Sequence, residues 1–158
     1  MDAKPWLVLI VFFAICLGAG GLGSFFTANS VRDWYPRLRK PAGTPPSWLF
    51  GPVWTTLYVL MAISAWLVWR EYRWGALPAL LIFCGQLALN VAWSGIFFGS
   101  RMLGVAFAEI VLLWLAIAWT MLIFFLLLPV AALLLVPYLL WVTYASYLNF
   151  GIWRLNRV

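Results

Sequence analysis

The chain has 158 residues, 66% of them hydrophobic and 9% charged, with a net charge of +6 and a mean hydropathy of +1.02. A soluble domain is about 25% charged, so this chain has too few charges to cover a water-facing surface, and its solvent is lipid. Its excess of cations then reads as a membrane-orientation signal and not as a nucleic-acid footprint. The absence of histidine removes Ser-His-Asp and Cys-His catalysis and the imidazole ligands of zinc and haem.

Five apolar runs reach the ~20 residues that a spanning helix needs. They predict an all-α membrane protein, a single domain over residues 1–158 built as a five-helix transmembrane bundle. The first run covers 5–26. Its basic start and apolar centre also fit a signal peptide, but the apolar character continues through "GLGSFF", so it is read as a span. Cys16, Gly20 and Ser24 lie four apart in it, as do Ala19 and Gly23, a spacing that allows close helix contact within a bundle or between protomers. Cys84, Ala88 and Ala92 repeat the pattern in the third run. Cys16 and Cys84 both read as small packing residues, not as a disulfide or a ligand pair.

Residues 27–46 form the first loop, continuous with "WYPRLRKPAGTPPSWLF" over 34–50, which holds four of the nine prolines together with Arg37, Arg39 and Lys40. The second run, 47–69, ends at Arg70 and Arg73 and sets Trp54, Tyr58, Met61 and Ala65 on one face. The third, 76–98, aligns Gln86, Asn90, Trp93 and Phe97. Amides in hydrocarbon must be satisfied, either by hydrogen bonds between helices or by lining a ligand cavity. The fourth run, 102–127, carries Glu109, which is either a functional intramembrane carboxylate or a protonated or snorkelling residue paired with Arg101. The fifth, 130–153, aligns Tyr138, Trp141, Ala145 and Asn149, and Pro129 leaves room only for a tight hairpin between the last two spans.

Lys4, Arg70 and Arg73 fall on one side of such a bundle. Arg32, Arg37, Arg39, Lys40, Arg101, Arg154 and Arg157 fall on the other. The positive-inside rule then places the amino end outside and loop one inside, with a bacterial membrane the expected location. Trp6, Trp74 and Trp153 suit the interfacial aromatic belt. The three aromatic stripes, two of them bearing amides, predict a cavity bounded by the second, third and fifth helices, capped by loop one and suited to a flat hydrophobic ligand.

"WYPRLRKP", "PPSWLFGPVWTTLY", "GQLALNVAW", "FFG" and "PYLLW" followed by "LN" resemble the tryptophan-rich sensory protein family. Its animal members are the translocator proteins, or peripheral benzodiazepine receptors. The resemblance implies a five-helix, often dimeric membrane bundle that binds porphyrins, sterols and benzodiazepine-type drugs, with loop one as its lid. Carried over, the family's ligand-binding positions match Tyr35, Trp54, Tyr58, Asn90, Trp93, Trp141 and Ala145. Two departures stand out: Gly43 replaces the lid tryptophan, and Phe150 replaces the tyrosine of the carboxyl-terminal sterol motif.

The expected function is therefore a sensor or carrier for tetrapyrroles and similar molecules, with the lipid bilayer and a second copy of the chain as partners and no nucleic acid. No cofactor or metal is required, and porphyrin is the ligand. The alternative is light-dependent porphyrin degradation with Trp54 and Trp141 as the redox-active, catalytic positions. Transport proper is less well indicated, because five spans do not divide into inverted halves. Without histidine, a bound porphyrin is expected to lack strong axial ligation, with Met61 the only soft candidate and propionates reaching Arg37, Arg39 or Lys40.

Overall fold

The computed structural model describes residues 4–157, which form helices joined by short turns and one longer loop, with no strand among them. Helix α1 spans Pro5–Asp33, α2 Phe50–Tyr72, α3 Leu77–Ser94, α4 Leu103–Leu127 and α5 Pro129–Leu155. Three of them open with proline within their first two residues, where the missing N–H costs nothing. A single extended residue, Leu128, joins α4 to α5, as Pro129 required.

Only a short 3-10 turn, Arg73–Ala76, separates α2 from α3. The chain nevertheless reverses there. Tyr58 and Asn90 are 32 residues apart yet hydrogen-bonded at 2.6 Å, whereas in one straight helix they would be about 48 Å apart. Arg73 makes the corner with φ +52. Five spans result, and around the bundle each helix meets its neighbours in the order α1, α2, α5, α4, α3 and back to α1.

Lipid offers no hydrophobic force to press helices together, so close packing and interhelical hydrogen bonds must do it. Ala62, Ala65, Ala106 and Ala131 are wholly buried and bring backbones near one another. Ser64 Oγ donates to the Ala131 carbonyl at 2.7 Å, and Phe83 stacks on Phe124 at 6.0 Å. Large apolar side chains meanwhile face outward, Phe25, Leu126, Leu133 and Leu140 among them, as a lipid-facing surface demands.

Two boundaries differ from the sequence reading. The apolar run ends near residue 26, but α1 continues to Asp33, because hydropathy falls at the membrane surface while helical hydrogen bonding does not. Loop one therefore begins at Trp34, not at residue 27. The expected Glu109–Arg101 pair does not form: the Arg101 guanidinium lies over the Trp34 ring at 5.4 Å, and both Glu109 carboxylate oxygens are buried without a hydrogen-bond partner.

Candidate functional site

A cavity of about 490 Å³ opens at the loop-one end of the bundle. Its aromatic walls are Tyr35 from the loop, Phe50, Trp54 and Tyr58 from α2, Trp93 from α3 and Trp141 from α5, with Ala145 and Asn149 beside the last. Phe97 and Phe98 complete it. They belong to a π-helical turn, Gly95–Gly99, that continues α3 and is closed by Ser100 N–H donating to the Gly95 carbonyl at 2.8 Å. The wider turn lets two consecutive rings be buried together, 4.7 Å apart. Ser30 Oγ of α1 donates to the Phe98 carbonyl at 2.6 Å and holds the turn in place.

The rings are oriented, not merely collected. Trp54 stacks on Tyr58 at 5.6 Å, and Trp93 stacks on Phe97 at 5.1 Å. Phe50 meets Trp141 edge-on at 6.1 Å and Tyr35 at 6.3 Å. Trp93 Nε1 donates to Asn149 Oδ1 at 3.0 Å, while Asn149 Nδ2 donates to the Leu103 carbonyl at 3.0 Å, so this amide fixes the plane of one wall. Trp93 alone among the three wall tryptophans donates its indole N–H to protein within the described residues.

Tyr58 links the wall to the interior. Its hydroxyl donates to Asn90 Oδ1 at 2.6 Å, Asn90 Nδ2 donates to the Tyr138 hydroxyl at 3.2 Å, and that hydroxyl donates to Gln86 Oε1 at 2.9 Å. Asn90, Tyr138 and Gln86 thus stand behind the wall and form a floor of interhelical hydrogen bonds. Of the sequence-expected ligand residues, the structure brings Tyr35, Trp54, Tyr58, Trp93, Trp141 and Ala145 to the cavity but leaves Asn90 outside it. Met61 and Ala65 are likewise buried in the core. A stripe one residue wide runs along the whole helix, whereas the cavity reaches only partway down the bundle.

The largest departure from expectation is α1, which forms a wall of its own. Gly20, Gly23, Ser24, Thr27 and Ala28 line the cavity. A Cβ on Gly20 would lie 2.7 Å from the Tyr58 ring, and one on Gly23 would lie 3.2 Å from Ser94 Oγ. These small residues let α1 close against the aromatic rings. The sequence signal was present in their four-residue spacing, but that spacing reads equally well as plain helix contact.

Loop one closes the top. Arg39 N–H donates to Asn156 Oδ1 at 3.1 Å, and Asn156 Nδ2 donates to the Arg39 carbonyl at 2.9 Å. Tyr147 donates to the Ala42 carbonyl at 3.2 Å and Tyr144 donates to that of Gly43. Pro41 packs where a Cβ on Gly151 would meet it at 2.7 Å. Gly43 itself is exposed at φ +83 with open space around it. That conformation favours glycine, and the position lies in the fastening of the lid, away from the cavity wall. Lys40 Nζ sits 4.7 Å over the Tyr35 ring. Tyr35 is buried, and that burial, with the Tyr144 hydroxyl nearby, raises its phenol from 10.0 to about 12.

Residues 12–154 match the model of the TspO/MBR family. Three relatives span nearly the whole chain. The Tryptophan-rich protein TspO of Chlorobaculum tepidum is 42% identical over 97% of this chain and 98% of its own length. The human Translocator protein is 41% identical over 98% of this chain and 94% of its own length. The Tryptophan-rich sensory protein of Cereibacter sphaeroides is 38% identical over 96% of this chain and 92% of its own length.

Proposed function

The chain belongs to the TspO/MBR family, and from that premise we propose that it is a membrane ligand-binding protein, a sensor or carrier for porphyrins and related flat hydrophobic molecules such as sterols or benzodiazepine-type drugs. One observation supports this reading above all: a 490 Å³ cavity walled on several sides by Tyr35, Trp54, Trp93 and Trp141. Pockets of this size and apolar character suit small-molecule ligands. Stacking supplies the affinity, and the free indole edges of Trp54 and Trp141 supply polar contacts. Among the described residues no Cys or Met lines the cavity: Met61 is buried away from the wall and Cys16 is buried in the core. Titration of wild-type protein in nanodiscs by tryptophan quenching tests this. Protoporphyrin and haem are expected to bind within about tenfold of each other, ~1.4 kcal/mol. Failure to quench with either rejects the reading, and a hundredfold preference for haem rejects the absence of an axial ligand.

A second reading, light-driven porphyrin degradation with dioxygen as oxidant, is favoured by one feature. Trp54 stacks directly on Tyr58, whose hydroxyl begins a hydrogen-bonded chain. Trp141→Phe would keep a flat wall but lack the oxidisable indole, so it should slow bleaching far more than it weakens binding. Unchanged bleaching would remove Trp141 from any chemistry.

The remaining assignments belong to the same reading. Loop one lies inside and the amino end outside, in a bacterial membrane. The protein is a homodimer through α3, whose Cys84, Ala88 and Ala92 are exposed while Cys16, Ala19 and Gly23 are covered within the bundle. Oxidative cross-linking of Cys84 across the dimer checks the face, with failure to cross-link counting against it.

A further inference from the structure

We infer that Arg32 is the residue that selects ligands bearing an acid, pairing with a carboxylate at the mouth of the cavity while the apolar body lies among the tryptophans. This deepens the porphyrin reading and rests on it. Because α1 runs to Asp33, Arg32 falls on the helix face that carries Gly21, Ser24 and Ala28, at intervals of three and four residues. All four residues line the cavity. Together with Ser47, Gly51 and Thr55 of the facing segment, themselves exposed and lining, they border an opening between α1 and the start of α2. Arg32 is the only cation among the lining residues.

The other loop-one cations are differently placed. Lys40 lies over the Tyr35 ring and donates to the Pro36 and Leu38 carbonyls at 3.4 Å. The Arg39 backbone is fastened to Asn156, and Arg37 is exposed beyond the cavity. Arg32 itself donates no hydrogen bond within the described residues. Its neighbouring acid, Asp33, points about 100° further round the helix. Lys40, Arg37 and Arg39 were the propionate partners expected from sequence; helix register gives that position to Arg32 instead.

The placement suits the chemistry. Arg32 stands in the exposed last turn of α1, past its apolar run, where a carboxylate would keep most of its hydration while a planar guanidinium holds it in two parallel hydrogen bonds. A ligand so held lies with its acid at the interface and its rings in the bundle. An uncharged analogue of the same shape would fill the cavity but forgo this contact.

The test compares protoporphyrin IX with its dimethyl ester, titrated by tryptophan quenching in phosphatidylcholine nanodiscs. Arg32→Gln is expected to lower diacid affinity about tenfold, as loss of a charge-assisted contact should, and to leave ester affinity within twofold. Arg32→Lys should retain part of the difference, and Arg37→Gln should match wild type. Arg32 is exposed, so the fold is not at stake, and unchanged helical circular dichroism verifies that. An equal loss for diacid and ester, no loss for either, or the same loss in Arg37→Gln overturns the assignment while leaving porphyrin binding intact. Wild-type protein that binds neither porphyrin overturns both.

Discussion

The two ends of this bundle use different apolar residues to opposite effect. At the end away from loop one, alanines, branched side chains and a stacked pair of phenylalanines close the interior completely: Ala62, Ala65, Val68, Phe83, Ile117 and Phe124 have no exposure. At the loop-one end, stacked indole, phenol and phenyl rings wall a cavity, and Gly20 and Gly23 let α1 close against Tyr58 and Ser94. The boundary is the line of hydrogen bonds from Tyr58 through Asn90 and Tyr138 to Gln86. This row of interhelical hydrogen bonds, in which Gln86 Nε2 stays without a partner among the described residues, ties helices together at one level of a lipid-solvated bundle. One end is therefore held by packing, and the other encloses a cavity.

Truncation at matched depth separates the two ends most strongly. Leu135→Ala removes a fully buried side chain and is expected to cost about 2–5 kcal/mol of stability, with porphyrin affinity unchanged in the protein that remains folded. Trp141→Ala should do the reverse. Denaturant midpoint and affinity measured on both variants check it: the midpoint should move less than half as far for Trp141→Ala, and affinity should fall only there. Equal midpoint shifts would mean that the cavity end is packed like the rest.

Adding volume sharpens the contrast. Gly20→Val drives a side chain into the Tyr58 ring and should cost about 1–3 kcal/mol while weakening porphyrin binding. Gly18→Val, on the same helix but with open space around it, should change neither. Release of the lid comes next in size. Asn156→Ala removes both hydrogen bonds to the Arg39 backbone, and stopped-flow measurement should find porphyrin leaving several times faster with a smaller change in arrival. An unaltered departure rate would show that loop one does not retain ligand.

The smallest effect is the response to pH. The native state holds the Tyr35 proton more tightly than the unfolded chain, because its phenol is raised from 10.0 to about 12. Its contribution to stability is full below pH 10.0 and is lost as pH rises to about 12. Denaturation midpoints for wild type and Tyr35→Phe should run parallel from neutral pH to pH 10.0, and above it wild type should lose stability relative to the variant, which has no phenol to ionise.

Much of this was legible in residue order because lipid as solvent simplifies the code. Apolar runs bounded by cations located all five helices, and Pro129 located the α4–α5 hairpin. Eight cavity residues, Tyr35, Trp54, Tyr58, Trp93, Phe97, Trp141, Ala145 and Asn149, followed from the helical stripes and the family resemblance. What escaped notice did so for physical reasons. "TANSVRD" is polar yet helical, so hydropathy ended α1 too soon and set Arg32 in the loop. Gly20, Gly23 and Ser24 carry no chemical mark that separates a cavity wall from a helix contact. Asn90 sits on a stripe with Trp93, but depth along the helix, which period alone does not give, assigns one to the floor and the other to the wall.

The double hydrogen bond between Arg39 and Asn156 joins positions 117 residues apart. A chain made from its amino end completes loop one well before α5 exists. Tyr144, Tyr147, Gly151 and Asn156, the four residues to which the lid fastens, all belong to α5 or the residue after it. The site is consequently finished in reverse order of its synthesis, with its earliest loop waiting unfastened on the membrane surface for its last helix. Until that helix is inserted, the cavity lacks Trp141, Ala145 and Asn149, the wall that α5 supplies, and loop one lacks its fastening.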